Sequence, residues 1–200
     1  HSTGSKSNIP QLLRIFVAHA FSWLGIQCMF VYLFAYVRQT MSITDDAQLG
    51  MVPGISFAVL NTVGFILPAL VLEPLSKKIG RVRTHTICIA IMALSYLGVF
   101  LMGNSFTGLY IAMAFVGIGW AAVVSLPFAI MSEYVNKARM GFWMGIFNLS
   151  VVLPQLVVSS VFGSWFNNSD NKSIIIVVCA VSLGISAILW GILVREKNEG

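Results

Sequence analysis

The sequence predicts an all-α fold, a polytopic membrane helical bundle of six transmembrane helices. Three observations predict it. Hydrophobic residues make up 58% of the 200-residue chain and charged residues 10%, where soluble domains carry about 25% charged residues. The apolar residues gather into six stretches, 12–37, 49–72, 84–103, 107–131, 141–166 and 174–194. Each holds about the 20 residues needed to cross a hydrocarbon core of ~30 Å. Positive charge is also one-sided. Lys6, Arg14, Lys77, Lys78, Arg81, Arg83, Lys137, Arg139, Arg195 and Lys197 belong to the two ends of the chain and to the segments after the second and fourth stretches. The three remaining connections carry only Arg38 and Lys172. Cationic loops stay in the cytoplasm during insertion, so both termini are expected there, in a plasma membrane or a bacterial inner membrane.

The first element follows a polar segment, 1–11, that reads as the remnant of a cytoplasmic loop. Its apolar stretch carries His19, Trp23 and Gln27 at a spacing of four, which places them on one helical face. The second stretch holds Pro53 and Pro68, with Gly54, Asn61 and Pro68 repeating at seven. The third, 84–103, follows a strongly basic turn. The fourth contains Trp120 and Ser125, and Pro127 is expected to break it. The fifth opens on Gly141-Phe142-Trp143-Met144-Gly145, a GxxxG spacing read as ordinary helix packing. It continues through Asn148, Pro154 and Gln155, and Pro154 is expected to break it. The sixth ends at a short cytoplasmic tail, 195–200. No stretch alternates as a barrel strand does. Connections are short, so neighbouring helices are antiparallel and 12–194 forms one bundle with no soluble domain. Six helices can divide into two inverted sets of three, as in secondary transporters. Tyr32, Tyr36 and Tyr96 are expected to anchor at the membrane interfaces.

Composition also excludes functions. Cys28, Cys88 and Cys179 lie mid-stretch and far apart, which is no zinc or redox spacing. They read as small packing residues. No metal and no cofactor is expected. The net charge of +5 suits anionic headgroups of the lipid bilayer. Basic residues share no face with aromatic ones, so no nucleic acid is expected as a partner. Intramembrane hydrolysis needs a paired Asp, a Ser/His couple or a metal cluster. His19 and Ser22 have no acid nearby, so the chain is not expected to be an enzyme. Asn167-Asn168-Ser169 and Asn171-Lys172-Ser173 have the glycan-acceptor pattern but read as a polar turn.

Glu73-Pro74-Leu75-Ser76-Lys77-Lys78-Ile79-Gly80-Arg81-Val82-Arg83 forms a tight basic turn. It resembles the loop that major facilitator superfamily transporters carry between their second and third helices, in the degenerate copy that the family places between helices eight and nine. Leu75, Lys78, Gly80 and Arg81 match the pattern Gly-X-Leu-Ala-Asp-Arg-X-Gly-Arg-Arg, while Glu73 and Lys77 replace its first Gly and its Asp. Trp120-Ala121, Pro127-Phe128, Gly145-Ile146-Phe147-Asn148 and Leu153-Pro154-Gln155 are similar to the tenth and eleventh helices of the sucrose-transporter-like branch. Phe21-Ser22-Trp23 with Cys28-Met29-Phe30-Val31-Tyr32 resembles the seventh helix of its bacterial members. The resemblance implies half of a major facilitator fold, helices seven to twelve, whose partner is an N-terminal six-helix half. It also implies a sugar substrate, a disaccharide such as sucrose or maltose, moved together with protons.

Polar groups in hydrocarbon point to protein or to a water-filled cavity. A sugar needs flat apolar surface for its C–H face and amides for its hydroxyls. Trp23, Gln27, Asn61, Trp120, Asn148 and Gln155 are therefore the expected substrate-binding residues. His19 is read as a gate or packing residue, or as the carrier of a coupling proton. It joins Lys78, Gly80 and Arg81 as gating or coupling residues. No Asp or Glu occupies an apolar stretch, so a coupling carboxylate belongs to the other half. A transporter-like sugar sensor, or a carrier for a different small solute, fits the same residues.

Overall fold

The structure is a computed structural model that describes residues 7–102 and 104–197. Lys6 and the rest of 1–6, Gly103, and the last three residues of the tail lie outside the described residues. Six helices are long and apolar enough to cross a membrane: Ile9–Thr40, Asp46–Ile79, Arg81–Met102, Phe106–Ser132, Lys137–Asn168 and Ser173–Leu193. No strand occurs among the described residues. The all-α bundle expected from hydropathy is present, and every helix contains most of its apolar stretch. The first helix, at 32 residues, is about 48 Å long, longer than the hydrocarbon core alone requires.

Short polar side chains set where the helices begin. Asn8 accepts from the Gln11 amide at 3.2 Å. Asp45 accepts from the amides of Ala47 and Gln48 at 3.4 and 3.1 Å, and Ser105 from that of Gly108 at 3.1 Å. Each satisfies N–H groups that the first helical turn leaves without partners. Proline acts more subtly than expected. Pro127 is buried inside the fourth helix, which runs unbroken from Phe106 to Ser132. One missing hydrogen bond does not end a helix whose neighbours hold it on several sides. In the second and fifth helices the backbone instead widens into single π segments, Pro68–Leu72 and Val158–Phe162. The helix then resumes, so Pro154 does not break the fifth either.

The third helix packs on the fourth and the sixth, the first on the sixth and the fifth, and the second on the fourth. This pattern is unchanged when helices one, two and three are exchanged for four, five and six. The two π segments fall in the exchanged pair of helices, the second and the fifth. Trp23 lies 14 residues after Ile9, and Trp120 lies 14 residues after Phe106. Helices one and four run in opposite directions, so the relation is an inverted one of three helices to three.

Two apolar clusters fill the bundle. One is built on Ile26, Met29, Leu33, Met92, Tyr96 and Met113. The other, nearer the chain termini, is built on Leu12, Ile15, Leu72, Val82, Ile130 and Trp190. Close approach needs small residues: a Cβ on Gly25 would lie 2.2 Å from Leu183, and one on Gly119 would lie 2.4 Å from Met92. Ser22 and Ser186 join hydroxyls at 2.6 Å, and Ser186 donates to the Ala18 carbonyl at 2.7 Å, which ties the first helix to the sixth. The three cysteines are free and buried. Tyr36 and Tyr96 are not interfacial, since both are core residues. Tyr36 reaches a partner there by donating to the Val99 carbonyl at 3.3 Å. Tyr32 donates to the Val158 carbonyl at the start of the second π segment, at 3.2 Å. The GxxxG spacing does not pack within this chain: among the described residues, nothing beyond the glycines' own helix comes within 4 Å of a Cβ built on Gly141 or Gly145.

Candidate functional site

Four helices converge on an aromatic and polar face. The spacing of four in the first helix places His19 and Trp23 one turn apart, and the Trp23 indole N–H donates to His19 Nε2 at 3.0 Å. An accepting Nε2 leaves the ring proton on Nδ1, so this His19 is neutral. The imidazole stacks on Phe147 of the fifth helix with centroids 4.8 Å apart. Trp23 meets Trp120 of the fourth helix edge to face at 5.9 Å. Trp120 meets Phe30 at 5.3 Å, and Phe30 meets Phe57 of the second helix at the same separation. The Trp120 indole N–H donates to the Asn61 side-chain oxygen at 3.2 Å, and the Asn61 amide nitrogen donates to the Phe57 carbonyl at 2.8 Å. Gly64 makes room for this ring: a Cβ there would stand 2.6 Å from Trp120 Cδ1.

His19, Trp23, Asn61 and Trp120 are thus joined in one network. Gln27 lies on the same face of the first helix and is half-buried. Asn148 is exposed beside Phe147, and Gln155 is half-exposed two turns further along the fifth helix. The structure does not join these three amides to the network by hydrogen bonds. Their side chains make none among the described residues and stay available to another molecule.

Sequence reasoning overlooked a second buried histidine. His85 sits one turn into the third helix, at the margin of an apolar stretch, where its neighbours Arg81 and Arg83 suggest a solvated turn. It is fully buried and packs edge to face on Trp190 at 4.4 Å. The spacing from Val82 could have found it, because Val82, His85, Ile89 and Met92 recur at three and four and share the buried face of the third helix.

The basic turn is a latch between three parts of the chain. Gly80 has φ +97°, the left-handed region open to glycine. It is the single residue between the second and third helices. The third helix then exposes its first amides, and the Glu196 carboxylate from the tail accepts from those of Arg81, Val82 and Arg83 at 2.7, 3.0 and 3.3 Å. A carboxylate at a helix N-terminus satisfies both the orphan donors and the helix dipole. Arg81 pairs with Glu133 at the end of the fourth helix. Lys197 donates to the Glu133 carbonyl, and Tyr134 donates to that of Arg195 at 2.6 Å. Burial, reinforced by Glu133 and Glu196, pushes the Tyr134 hydroxyl above its ordinary pKa and keeps it a donor. Of the expected gating residues, Gly80 and Arg81 lie in this latch. Lys78 is exposed and has no partner among the described residues, while Lys77 pairs with Glu73 at 2.7 Å.

Both described ends of the chain gather here. The Asn8 amide donates to the Tyr134 carbonyl at 2.9 Å, and Gln11 donates to that of Arg195 at 3.0 Å. At the opposite end, Gln39 donates to the Asp170 carbonyl at 2.7 Å and accepts from the Lys172 amide at 2.6 Å. Lys78 and Lys172 therefore lie at opposite ends of the bundle.

Comparison with known proteins gives the family and the fold. A sequence profile described as Major Facilitator Superfamily matches residues 15–200. The sucrose transport protein SUT2 of Oryza sativa subsp. indica is 30% identical over 142 residues, which cover 62% of this chain and 28% of that protein. The sucrose transport protein SUT3 of the same subspecies is 22% identical over 145 residues, covering 59% and 28%. The in meso crystal structure of the POT family transporter PepTSo superimposes with a TM-score of 0.80 at 13% identity, covering 95% of this chain and 39% of that one. An auto-inhibited POT family peptide transporter gives 0.73 at 11% identity, with the same coverage. At such identities the two structures speak to the fold alone. The chain spans under a third of the length of the curated relatives that it matches.

Proposed function

The chain belongs to the Major Facilitator Superfamily, and from that premise we propose that it is the C-terminal six-helix half of a secondary transporter that moves a disaccharide such as sucrose or maltose together with protons. The observation that carries the sugar reading is the Trp23–Trp120 pair with Asn61 bonded to it; the side chains of Gln27, Asn148 and Gln155, on the first and fifth helices, make no hydrogen bond among the described residues and are assigned to the same site. Stacked C–H faces of a glycoside suit the indole surfaces, and its hydroxyls suit amides that both donate and accept. The names of the rice relatives point to the same substrate class.

In this reading the second and fifth helices face the N-terminal half. Only 17% of the apolar window of each is enclosed by this chain, against 56% for the fourth helix. Two halves rocking about a midplane site would expose it to each side of the membrane in turn. His19 is neutral and bonded through its Nε2, so it serves as a positioning residue for Trp23. The coupling carboxylate belongs to the other half. The latch around Gly80, Arg81, Glu133 and Glu196 faces the cytoplasm with both termini, following the cationic loops, and Lys78 beside it takes part in gating. The membrane is a plasma membrane or a bacterial inner membrane.

Uptake of radiolabelled sucrose and maltose by the whole protein in proteoliposomes tests the proposal. Saturable uptake of one of them, accelerated by an inward proton gradient, is the expected result. Binding without uptake would turn the reading to a sensor, and no response to any glycoside would overturn the substrate class.

A further inference from the structure

The third and sixth helices lie side by side and leave a groove of about 680 Å³ at the end of the bundle where the latch sits. Arg83 and Arg195 line it, together with Thr86, Ile87, Gly191 and Val194. Both arginines are exposed, and neither forms an ion pair among the described residues. Among the described residues the carboxylate that lines the groove is that of Glu196, and three backbone amides already hold it. Below the arginines the two helices turn an apolar stripe outward: Ile87, Leu94 and Leu101 on the third, and Val181, Ile188 and Ile192 on the sixth. Leu94, Leu101 and Ile192 are more than 60% exposed, which marks a surface made for acyl chains. At Gly191 the wall of the groove loses its side chain, and an added Cβ would come within 3.3 Å of Thr86.

We propose that this groove binds an anionic phospholipid, with its phosphate between Arg83 and Arg195 and an acyl chain in the trough at Gly191. Basic pockets between transmembrane helices on the cytoplasmic side attract anionic headgroups in this way. Guanidinium forks are matched to phosphate oxygens. The combination is what distinguishes the site: two arginines with no ion pair among the described residues line one groove with apolar side chains of the third and sixth helices. The inference does not depend on the transported substrate.

Native mass spectrometry of the whole protein, released from mixed micelles of phosphatidylglycerol and phosphatidylcholine, tests it. Phosphatidylglycerol should be retained in preference. Arg83→Gln and Arg195→Gln should each weaken retention about fivefold, as expected for one basic residue at an anionic surface. Gly191→Leu should weaken it with the charges intact. Arg139→Gln, at the same end but outside the groove, should change nothing. Equal retention of the two lipids would overturn the proposal. So would loss in Arg139→Gln equal to that in Arg83→Gln, which would mean general surface charge. Displacement of the lipid by millimolar inorganic phosphate, with Gly191→Leu silent, would mean an anion site and would overturn the lipid assignment. If Gly191→Leu does not fold, the arginine variants and the phosphate competition decide the matter.

Discussion

Gly64→Ala is the most informative single change, because it displaces Trp120 without altering any group that would touch substrate. The added methyl carbon would stand 2.6 Å from Trp120 Cδ1 and 3.3 Å from its Nε1. Attractive carbon contacts lie near 3.5–4.0 Å, so the ring must retreat by about 1 Å. It is not a free chain end, since Trp23 and Phe30 flank it with centroids at 5.9 and 5.3 Å. A shift of that size lengthens the 3.2 Å bond to Asn61 beyond hydrogen-bond range. Overpacking costs about 1–3 kcal/mol and the lost bond about 0.5–1.5 kcal/mol. Exchanging glycine for alanine in a helix returns about 1 kcal/mol. The net expectation is roughly 0.5–3.5 kcal/mol of destabilisation, with a blue-shifted or quenched indole emission. Displacing one wall of the aromatic platform removes an interaction of about 0.5–1.5 kcal/mol, so KM for the sugar should rise up to about tenfold. The assay is initial-rate uptake in proteoliposomes alongside tryptophan emission of the purified protein. Gly98→Ala, where nothing beyond its own helix lies within 4 Å of the new Cβ among the described residues, is the control. Unchanged KM and emission in Gly64→Ala would refute the reasoning. Equal damage from Gly98→Ala would refute it too.

Asn148→Ala and Gln155→Leu should each raise KM roughly three- to tenfold, the loss of one hydrogen bond to substrate, without lowering surface expression; unchanged kinetics in both would remove them from the site. Gly80→Ala places a Cβ against the Glu196 carboxylate in a backbone conformation that is essentially glycine's alone and costs another residue about 1–3 kcal/mol. It should slow turnover and lower the detergent melting temperature with the substrate profile kept, and Lys78→Ala should change turnover alone. Ser186→Ala removes two buried hydrogen bonds between the first and sixth helices and should destabilise by about 1–3 kcal/mol, read as a lower melting temperature with KM unaltered.

The legible parts of this protein are those set by chain-local physics. Apolar runs long enough for a bilayer located six helices, and the placement of lysine and arginine separated the two ends that the structure now shows apart. Period four put His19 beside Trp23, and the structure adds the bond between them. What was illegible depends on partners distant in sequence. Trp120 and Asn61 are 59 residues apart, and Arg81 and Glu196 are 115 apart. No spacing rule connects them. Glu196 reads in sequence as one charge in a polar tail, yet it caps a helix. Residue type places Tyr36 and Tyr96 at the interface, while packing in one apolar cluster draws both into the core. Pro127 was expected to break its helix, but in a crowded bundle tertiary contacts outweigh one lost hydrogen bond. The inverted relation of the two helix triplets left no clear trace in residue identities, because packing geometry can persist after side chains diverge.

Substrate protection of engineered thiols tests the central claim most directly, since the three cysteines of this chain are all buried. In the reconstituted whole protein, sucrose or maltose should slow alkylation of Gln27→Cys, Asn148→Cys and Gln155→Cys, and leave that of Ile192→Cys, on the lipid-facing side of the sixth helix, unaffected. Equal labelling rates with and without saturating sugar at all three positions, in protein that remains folded and transports it, would show that the sugar sits elsewhere.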